Sequence, residues 1–280
     1  MQRAMQRLEQ ARQKMQEAQQ ELENAQREGA VERQREAEQK LREAVEELEQ
    51  ILRQLREEEI ERSLASLEAR LRKMLEMQNR VLEETQRLHE IAGEGNADRQ
   101  VQIRANKLAQ EEKQILNEGQ RAYLLLREEG SSAAFPEAVE QVNTDVASIV
   151  ARLERGDVGK LTLVVEQEVV GALEEMIAAL VQVQKDNEKK KQQQRSGQPQ
   201  QGQPGEQPLV DKLAELRLIR TLQVRINRRT ESLAEMLDDP NDPVGQAKDA
   251  EVATELQGLA DRQQDIQTVT RDIVLGKDEQ

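Results

Sequence analysis

The chain has few residues whose type and spacing suit catalysis or metal binding. His89 is the only histidine in the sequence. Metal sites in helical bundles use Glu-x-x-His pairs, because residues three apart on a helix present both ligands to one ion. Gln86 stands three places before His89, and no nucleophile elbow that would serve a catalytic triad lies nearby. We therefore predict that His89 is an exposed residue beside the seam position Leu88, without a metal or catalytic role.

Gly159 and Lys160 form a Gly-Lys pair of the kind found in phosphate-binding loops. Such a loop needs a glycine five residues before the pair and a serine or threonine directly after it. Glu154 and Leu161 occupy those two places here. The pair therefore predicts a turn before a helix and no nucleotide site.

The segment 238–243 carries three aspartates and an asparagine, which are residue types that bind calcium. Pro240 and Pro243 stand where an EF-hand loop counted from Asp238 needs an oxygen ligand and a glycine. We interpret the segment as the cap of the last helix, with Asp242 before a first-turn proline.

Positive charge is concentrated on one helix near the C-terminus of an otherwise acidic chain. One interpretation is a solvated face held by pairs three or four residues apart. The other is an electrostatic dock for the acidic N-terminal helices or for an acidic partner. Contact with nucleic acid is disfavoured, because no aromatic side chain is available for base stacking. The residues of the predicted dock are Arg217, Arg220, Arg225, Arg228 and Arg229.

The composition excludes several classes of function. The sequence has 41 basic and 55 acidic residues, a net charge of −14, whereas broad binding to nucleic acids or anionic membranes needs clustered lysine and arginine. The absence of cysteine excludes disulfides and cysteine-based metal or redox chemistry. No apolar run approaches the roughly 20 residues of a membrane-spanning helix. We expect no cofactor, no metal and no direct insertion into a membrane.

The elements that carry these residues are predicted to be helices, and the pattern is clearest at the start of the chain. Large apolar residues and alanines each recur there every seven residues, which is the a/d pattern of helices that pack along a seam. Later runs continue the same 4-3 spacing, mainly with leucine. The predicted seam residues are Leu8, Ala11, Met15, Ala18, Leu22, Ala25, Leu41, Leu48, Leu55, Leu64, Leu67 and Leu71.

Breaks in this pattern divide the chain. Gly29 predicts either a hairpin or a weak point in one long helix, and the hairpin is favoured because glycine readily ends helices. The heptad phase shifts again at residues 57–59. A Gly-Glu-Gly-Asn turn at 93–96 separates this region from a helix at about 99–129, and the short loop predicts an antiparallel pair. Residues 1–92 are thus expected to form long heptad helices, and residues 99–192 a helical bundle segment.

Residues 193–208 form a Gln/Pro/Gly tract that cannot bury apolar area, and we predict a flexible linker there. Residues 209–280 again show helical spacing on both sides of a short loop, which predicts a C-terminal helical hairpin. The predicted fold class is therefore all-α, with elongated coiled-coil and bundle hairpins joined by the Gln/Pro-rich linker.

Three stretches carry a resemblance to known proteins: ILRQLREEEIERSLASLEARLRKMLEMQ from Ile51, LREEGSSAAFPEAVEQV from Leu126 and LVDKLAELRLIRTLQVRINRRT from Leu209. Together they resemble large uncharacterised bacterial coiled-coil proteins, some of them exported or associated with the cell envelope. The resemblance implies no activity and no site residues. Met1 already lies on the heptad seam, so we expect a longer protein. An export signal upstream would imply the cell envelope, and its absence the cytoplasm.

These observations predict a non-enzymatic structural or scaffolding protein that acts through helix–helix association, with itself or with another helical protein. The mechanism would be burial of a/d stripes, while charged flanks select partner and register. The alternative is a chaperone-like or adaptor module whose helical arms grip other proteins. That alternative requires an apolar surface that remains exposed after the helices pair.

Overall fold

The fold is all-α. In a computed structural model of the chain, the described residues are 2–24, 27–92, 99–130, 132–195, 210, 212–234 and 250–275. They form seven helices and no strand: α1 (Gln2–Glu23), α2 (Arg27–Ala92), α3 (Arg99–Glu129), α4 (Ala134–Glu154), α5 (Lys160–Arg195), α6 (Lys212–Ala234) and α7 (Ala250–Leu275).

The chain divides into two compact units, Met1–Arg62 and Ser63–Gln280. The division falls within α2, close to the acidic triplet where the heptad phase shifts. The helix itself continues through residues 57–59 without interruption, so the shift changes which face is buried and does not end the helix.

The first unit is an antiparallel pair formed by α1 and the first part of α2. Ion pairs fix the direction, because early residues of α1 meet late residues of α2: Arg7 pairs with Glu43 and Glu47, whereas Lys14 pairs with Glu36. A hairpin near Gly29 was the favoured prediction, but the connection lies earlier, between Glu23 and Arg27. Gly29 itself belongs to the first turn of α2.

Alanines form the seam of this hairpin. Every seventh residue on each helix is a buried alanine, and no other described apolar side chain of α1 is buried. Because a methyl group is small, such a row lets two helix backbones approach closely, and larger side chains must then lie beside the seam. The six seam residues are Ala4, Ala11 and Ala18 on α1 and Ala30, Ala37 and Ala44 on α2.

The second unit buries larger side chains. The end of α2 contributes Leu64, Leu67 and Leu71, which are all buried, and α3 runs antiparallel to it. Arg70 and Arg80 of α2 pair with Glu118 and Glu111 of α3, respectively. This agrees with the predicted antiparallel pair, and α3 has the bounds that the sequence predicts.

Close approach of α3 and α4 depends on Gly119. A Cβ at this position would lie 2.0 Å from Oδ1 of Asn143 and 3.1 Å from Cε of Met74.

Gly156 has a separate role after the end of α4. Its φ of 76° lies in the left-handed region that glycine favours, and it lets the Asp157 amide donate back to the Arg152 carbonyl at 2.9 Å.

The two helices of the predicted C-terminal hairpin, α6 and α7, pack on each other and also on the bundle helix α4. Both α6 and α7 lie in the same compact unit as α4 and α5. One cause is Glu215 of α6, whose carboxylate accepts hydrogen bonds from the Ala133 and Ala134 amides at 3.1 and 2.6 Å and from Ser132 Oγ at 2.5 Å. A carboxylate supplied by α6 therefore caps the N-terminus of α4.

Some predictions fall outside the described residues. The linker at 193–208 is one of them, apart from its first three residues, which end α5. The turn at 93–96 and the aspartate segment 238–243 also lie outside the described residues, as does Ala25.

The alanine seam makes a direct prediction about packing. Ala11→Leu inserts three extra carbons where the helices approach most closely, and overpacking of this kind costs about 1–3 kcal/mol. We expect faster amide hydrogen exchange in peptides from residues 2–50, measured by mass spectrometry. Gln20→Leu adds the same side chain at an exposed position of α1 and should leave exchange unchanged. Equal exchange in both variants would contradict the seam.

Candidate functional site

One side of the α1–α2 hairpin carries large apolar residues that the seam leaves uncovered. On α1, Leu8, Met15 and Leu22 are 42%, 47% and 54% exposed. Each follows a seam alanine by four residues, which places it about 50° to one side of the seam. On α2, Val31 and Val45 are exposed, while Leu41 and Leu48 are half-buried. We call these seven residues the apolar face.

The opposite side of the hairpin is charged. Lys14 Nζ lies 3.1 Å from Glu36 Oε2, and Arg33 Nε lies 3.4 Å from Glu17 Oε2. Arg7 pairs with Glu47 at 3.1 Å and also with Glu43. These residues lie on the other flank of the alanines from the apolar face. Charged pairs therefore close one side of the hairpin, and apolar side chains remain on the other.

The predicted seam residues are thus distributed over different environments. Ala11, Ala18, Leu64, Leu67 and Leu71 are buried. Leu8, Met15, Leu22 and Leu55 are exposed, whereas Leu41 and Leu48 are intermediate. The large residues were expected in the seam because a heptad does not show which of its two apolar rows faces the partner helix. Val31 and Val45 were not predicted, although their spacing of 14 residues is a visible signal.

The second unit contains a buried polar layer between α2, α3 and α5. Gln78 Nε2 donates to Glu112 Oε1 at 2.7 Å, and Thr85 Oγ1 donates to Glu166 Oε1 at 2.9 Å. All four side chains are fully buried. Gln78 and Thr85 are seven residues apart on α2. The carboxyl groups of Glu112 and Glu166 therefore accept hydrogen bonds from positions that are two helical turns, or about 10 Å, apart along the α2 axis.

Burial raises the pKa of both carboxyl groups and so favours their protonated forms. It raises the pKa of Glu166 to about 8, although the Thr85 hydrogen bond acts in the opposite direction. Burial also raises the pKa of Glu112 well above its ordinary value, and the charge of Glu166 adds to this effect. A protonated carboxyl group avoids the large cost of burying a charge.

A second buried cluster joins four helices through Arg229 of α6. Its Nη1 donates to Asp145 Oδ1 of α4 at 2.9 Å and to Glu168 Oε2 of α5 at 2.7 Å. Its Nη2 donates to Glu255 Oε2 of α7 at 2.5 Å. Arg262 of α7 forms a bidentate pair with Asp145, at 2.5 and 3.0 Å. We call these five residues the arginine cluster.

For Asp145 and Arg229 of the arginine cluster, the opposite charges of their partners shift the pKa more than burial does. Burial alone would raise the pKa of Asp145, but Arg262 and Arg229 hold it below its ordinary value. Burial would likewise lower the pKa of Arg229, yet the charges of Asp145, Glu168 and Glu255 raise it above its ordinary value. The pairing therefore stabilises the charged forms of Asp145 and Arg229, whereas burial raises the pKa of Glu168.

The structure separates the five arginines of the predicted dock. Arg217, Arg220 and Arg228 are exposed on α6. Arg229 lies in the arginine cluster, and Arg225 Nη2 pairs with Glu175 Oε2 of α5 at 3.2 Å. Two of the five therefore hold α6 against the bundle, and the other three remain at the surface. The sequence carries a signal for Arg229, because it continues the 4-3 spacing of the buried residues Leu222, Ile226 and Leu233.

The other candidate residues have structural contacts. His89 is half-buried, and its Nδ1 donates to the Val158 carbonyl at 2.9 Å, so it is less exposed than predicted. The Gly159 amide donates to Asp157 Oδ1 at 2.9 Å in the turn before α5, where the sequence predicts a turn. Among the described residues, no group of three or more histidine, aspartate or glutamate side chains could hold a metal ion.

A groove of about 370 Å³ lies between α4 and α7, and all residues of the arginine cluster except Glu168 line it. The lining also includes the small residues Ser148 and Gly258 and the carboxylates Glu137, Glu140 and Asp265. Burial raises the pKa of Glu137, and the nearby charge of Asp265 contributes. The described lining presents carboxylates and paired arginines, without an arrangement of nucleophile and base.

Comparisons with known proteins give no identity: no protein-family model, no curated protein and no solved structure matches this chain. None of the helices in the described part of the chain has the length and hydrophobicity to cross a membrane.

The buried carboxyl groups predict an unusual pH dependence. Because the folded-state pKa of Glu166 is raised to about 8, the folded chain holds a proton that the unfolded chain loses above its ordinary pKa. The free energy of unfolding should therefore fall between about pH 4.5 and 8, by about 1.4 kcal/mol per pH unit for this group. Glu166→Gln should remove that part of the slope.

Urea unfolding at several pH values can measure this slope. Tyr123 is the only tyrosine, it lies on α3, and the chain has no tryptophan, so its fluorescence reports on the second unit. Glu174→Gln changes an exposed glutamate on the same helix as Glu166 and should keep the wild-type slope. An unchanged slope in Glu166→Gln would contradict the raised pKa.

The arginine cluster predicts a large contrast between two neighbouring residues. Arg229→Met leaves buried carboxylates without their partner, which typically costs about 3–5 kcal/mol of stability. Arg228→Met changes an exposed side chain and should cost less than about 0.5 kcal/mol. Urea unfolding followed by Tyr123 fluorescence distinguishes the two variants. Similar losses in both would show that Arg229 does not anchor α6.

Proposed function

We propose that this protein is a non-enzymatic assembly protein that acts through helix–helix association, with the apolar face of the α1–α2 hairpin as its binding surface. The observation that carries the proposal is the exposure of Leu8, Met15 and Leu22 beside a seam of alanines. Large apolar side chains that remain exposed together on one face often mark a binding surface.

The physical need for a partner follows from the seam itself. Burying one methyl group contributes about 0.8 kcal/mol, whereas fully burying a leucine contributes about 1.5–3 kcal/mol. The contact between α1 and α2 buries the smallest apolar side chains of the hairpin, whereas its larger apolar side chains remain exposed to water. A helix laid along the apolar face would recover their burial, which supports a role in association.

The charged flanks of the hairpin support selectivity. Ion pairs occupy the side opposite the apolar face, so a partner gains apolar burial on one side only. Exposed ion pairs contribute little to affinity, but they disfavour partners with the wrong charge or register. The proposed binding surface is therefore one-sided.

A chaperone-like or adaptor module remains the second candidate function. It is favoured by the same exposed surface and by the presence of Met5 and Met15 on exposed parts of α1. Methionine side chains are flexible and adapt to many apolar partners. An assembly protein would bind one defined partner, whereas a chaperone-like arm would bind many.

Site-specific photo-cross-linking in the native cell tests the proposal. A photoreactive phenylalanine analogue at Met15 should give one discrete cross-linked product, because this residue lies in the apolar face. The same analogue at Gln13, an exposed residue on the outer side of α1, serves as the matched control and should give little product.

The number and identity of the products decide between the candidates. One product, whether it contains a second copy or a different helical protein, supports the assembly role. A broad series of products from position 15 would favour the chaperone-like module instead. Equal and low yields at positions 15 and 13 would overturn both candidates, since the apolar face would then have no partner.

A further inference from the structure

We infer that Met15 is an oxidation switch within the apolar face: its conversion to methionine sulfoxide by a peroxide stops the face from binding its partner, while the hairpin stays folded. The inference rests on the proposed function and specifies how the same surface is regulated. Three features carry it, namely the exposure of the methionines, the central position of Met15 in the row of large residues on α1, and the alanine seam beside that row.

The described methionines differ widely in exposure. Met5 and Met15 on α1 are 69% and 47% exposed, whereas Met74 on α2 and Met176 on α5 are fully buried. Met77 is half-buried. The chain has no cysteine, so methionine supplies all of its sulfur. A peroxide in solution should therefore react first with the methionines of α1.

The oxidation transfers one oxygen atom to the thioether. The sulfur of Met15 attacks one oxygen of hydrogen peroxide, so that an S–O bond forms and the O–O bond breaks. The sulfur loses two electrons, and the peroxide gains them. The second oxygen leaves as hydroxide and becomes water with the proton that the transferred oxygen releases. Because no group of the protein takes part, access of the peroxide to the sulfur is the main requirement.

Met15 lies at the centre of the row of large residues on α1. Leu8 and Leu22 lie seven residues before and after it, and all three side chains are exposed. A sulfoxide places a strongly polar S=O group in the middle of this row. An apolar partner surface would remove water from that oxygen without offering a hydrogen-bond donor, which is unfavourable. Oxidation at this position should therefore weaken binding.

The same oxidation leaves the contact between α1 and α2 intact. That contact consists of alanines, which peroxide does not oxidise, and of ion pairs on the flank opposite the apolar face. Met15 lies beside this seam and not within it. Enzymes reduce methionine sulfoxide back to methionine, so binding could be lost and regained without unfolding of the hairpin.

Peroxide treatment of the full chain, followed by mass spectrometry of its peptides, is the first test. Met5 and Met15 should be oxidised at least about tenfold faster than Met74 and Met176, because buried sulfur is reached only when the bundle opens. Amide hydrogen exchange in peptides from residues 2–50 should not change on oxidation. Equal oxidation rates at Met15 and Met74, or faster exchange in the oxidised hairpin, would overturn the switch.

Photo-cross-linking in the native cell is the second test, with the photoreactive analogue at Leu8 so that Met15 stays natural. Hydrogen peroxide added before irradiation should lower the yield of the cross-linked product about tenfold or more, since the sulfoxide would be buried without a donor. Met15→Leu has a similar volume but cannot form a sulfoxide. Its yield with peroxide should equal its yield without peroxide, whatever that starting yield is.

Two further variants locate the effect at position 15. Met5→Leu removes the more exposed methionine, which lies outside the apolar face, and should respond to peroxide as the wild type does. Met15→Gln places a polar side chain of similar length in the row and should give the low yield without peroxide. Peroxide resistance of Met5→Leu, or a wild-type yield from Met15→Gln, would contradict the switch.

The outcomes separate this inference from the function on which it rests. If position 8 gives a product that peroxide does not diminish although Met15 is oxidised, the assembly role stands and the switch is wrong. An equal loss of product in wild type and Met15→Leu also overturns the switch, because the oxidised target then lies elsewhere. Absence of product from positions 8 and 15 before peroxide is added overturns the assembly role and the switch together. A product that peroxide removes from the wild type and not from Met15→Leu supports the inference.

Discussion

An alanine at every seventh position has two consequences that cannot be separated. It lets two helices approach closely, and it excludes larger side chains from the space between them. In the first unit this constraint sorts the residues of α1 into three groups: alanines between the helices, ion-pairing side chains on one flank, and Leu8, Met15 and Leu22 on the other. The exposed apolar face is therefore a direct result of the way the hairpin is closed.

The second unit has few aromatic side chains for its interior, and buried polar groups take part of their place. The chain has one phenylalanine, one tyrosine and no tryptophan, and Phe135 is fully buried. Polar groups fill the remaining interior positions, and their partners come from distant helices. Arg229 alone contacts α4, α5 and α7. Such contacts are directional, so they define how the helices are arranged more narrowly than aliphatic packing would.

The sequence predicted the helices well because their signals are local. The bounds of α3 and the buried row from Leu64 to Leu71 follow from periodicity and turn residues alone. The sequence did not predict which row of the heptad forms the hairpin seam, since alanine and leucine rows are equally periodic. Leu8 and Met15 were therefore assigned to a contact that the alanines make.

Contacts between distant residues were the other source of error. The spacing of α6 does distinguish Arg229, which continues the buried row of Leu222, Ile226 and Leu233, from exposed Arg228 beside it, but it does not show that the partners of Arg229 lie on three other helices. The contact of the C-terminal hairpin with α4 was not predicted for the same reason, because Glu215 and Arg229 reach residues that are distant in the sequence. Gln78 and Thr85 stand at seam spacing in the sequence, but nothing local indicates their acidic partners Glu112 and Glu166 on other helices.

The cap that Glu215 provides to α4 also constrains the order of events during synthesis. The capped amides precede Glu215 by 81 and 82 residues. At about 5–20 residues per second, translation needs roughly 4–16 s to cover that distance. During this interval the Ala133 and Ala134 amides lack the carboxylate of Glu215, and Asp145 has neither of its arginines. The second unit can therefore complete its native contacts only late in translation or after release from the ribosome.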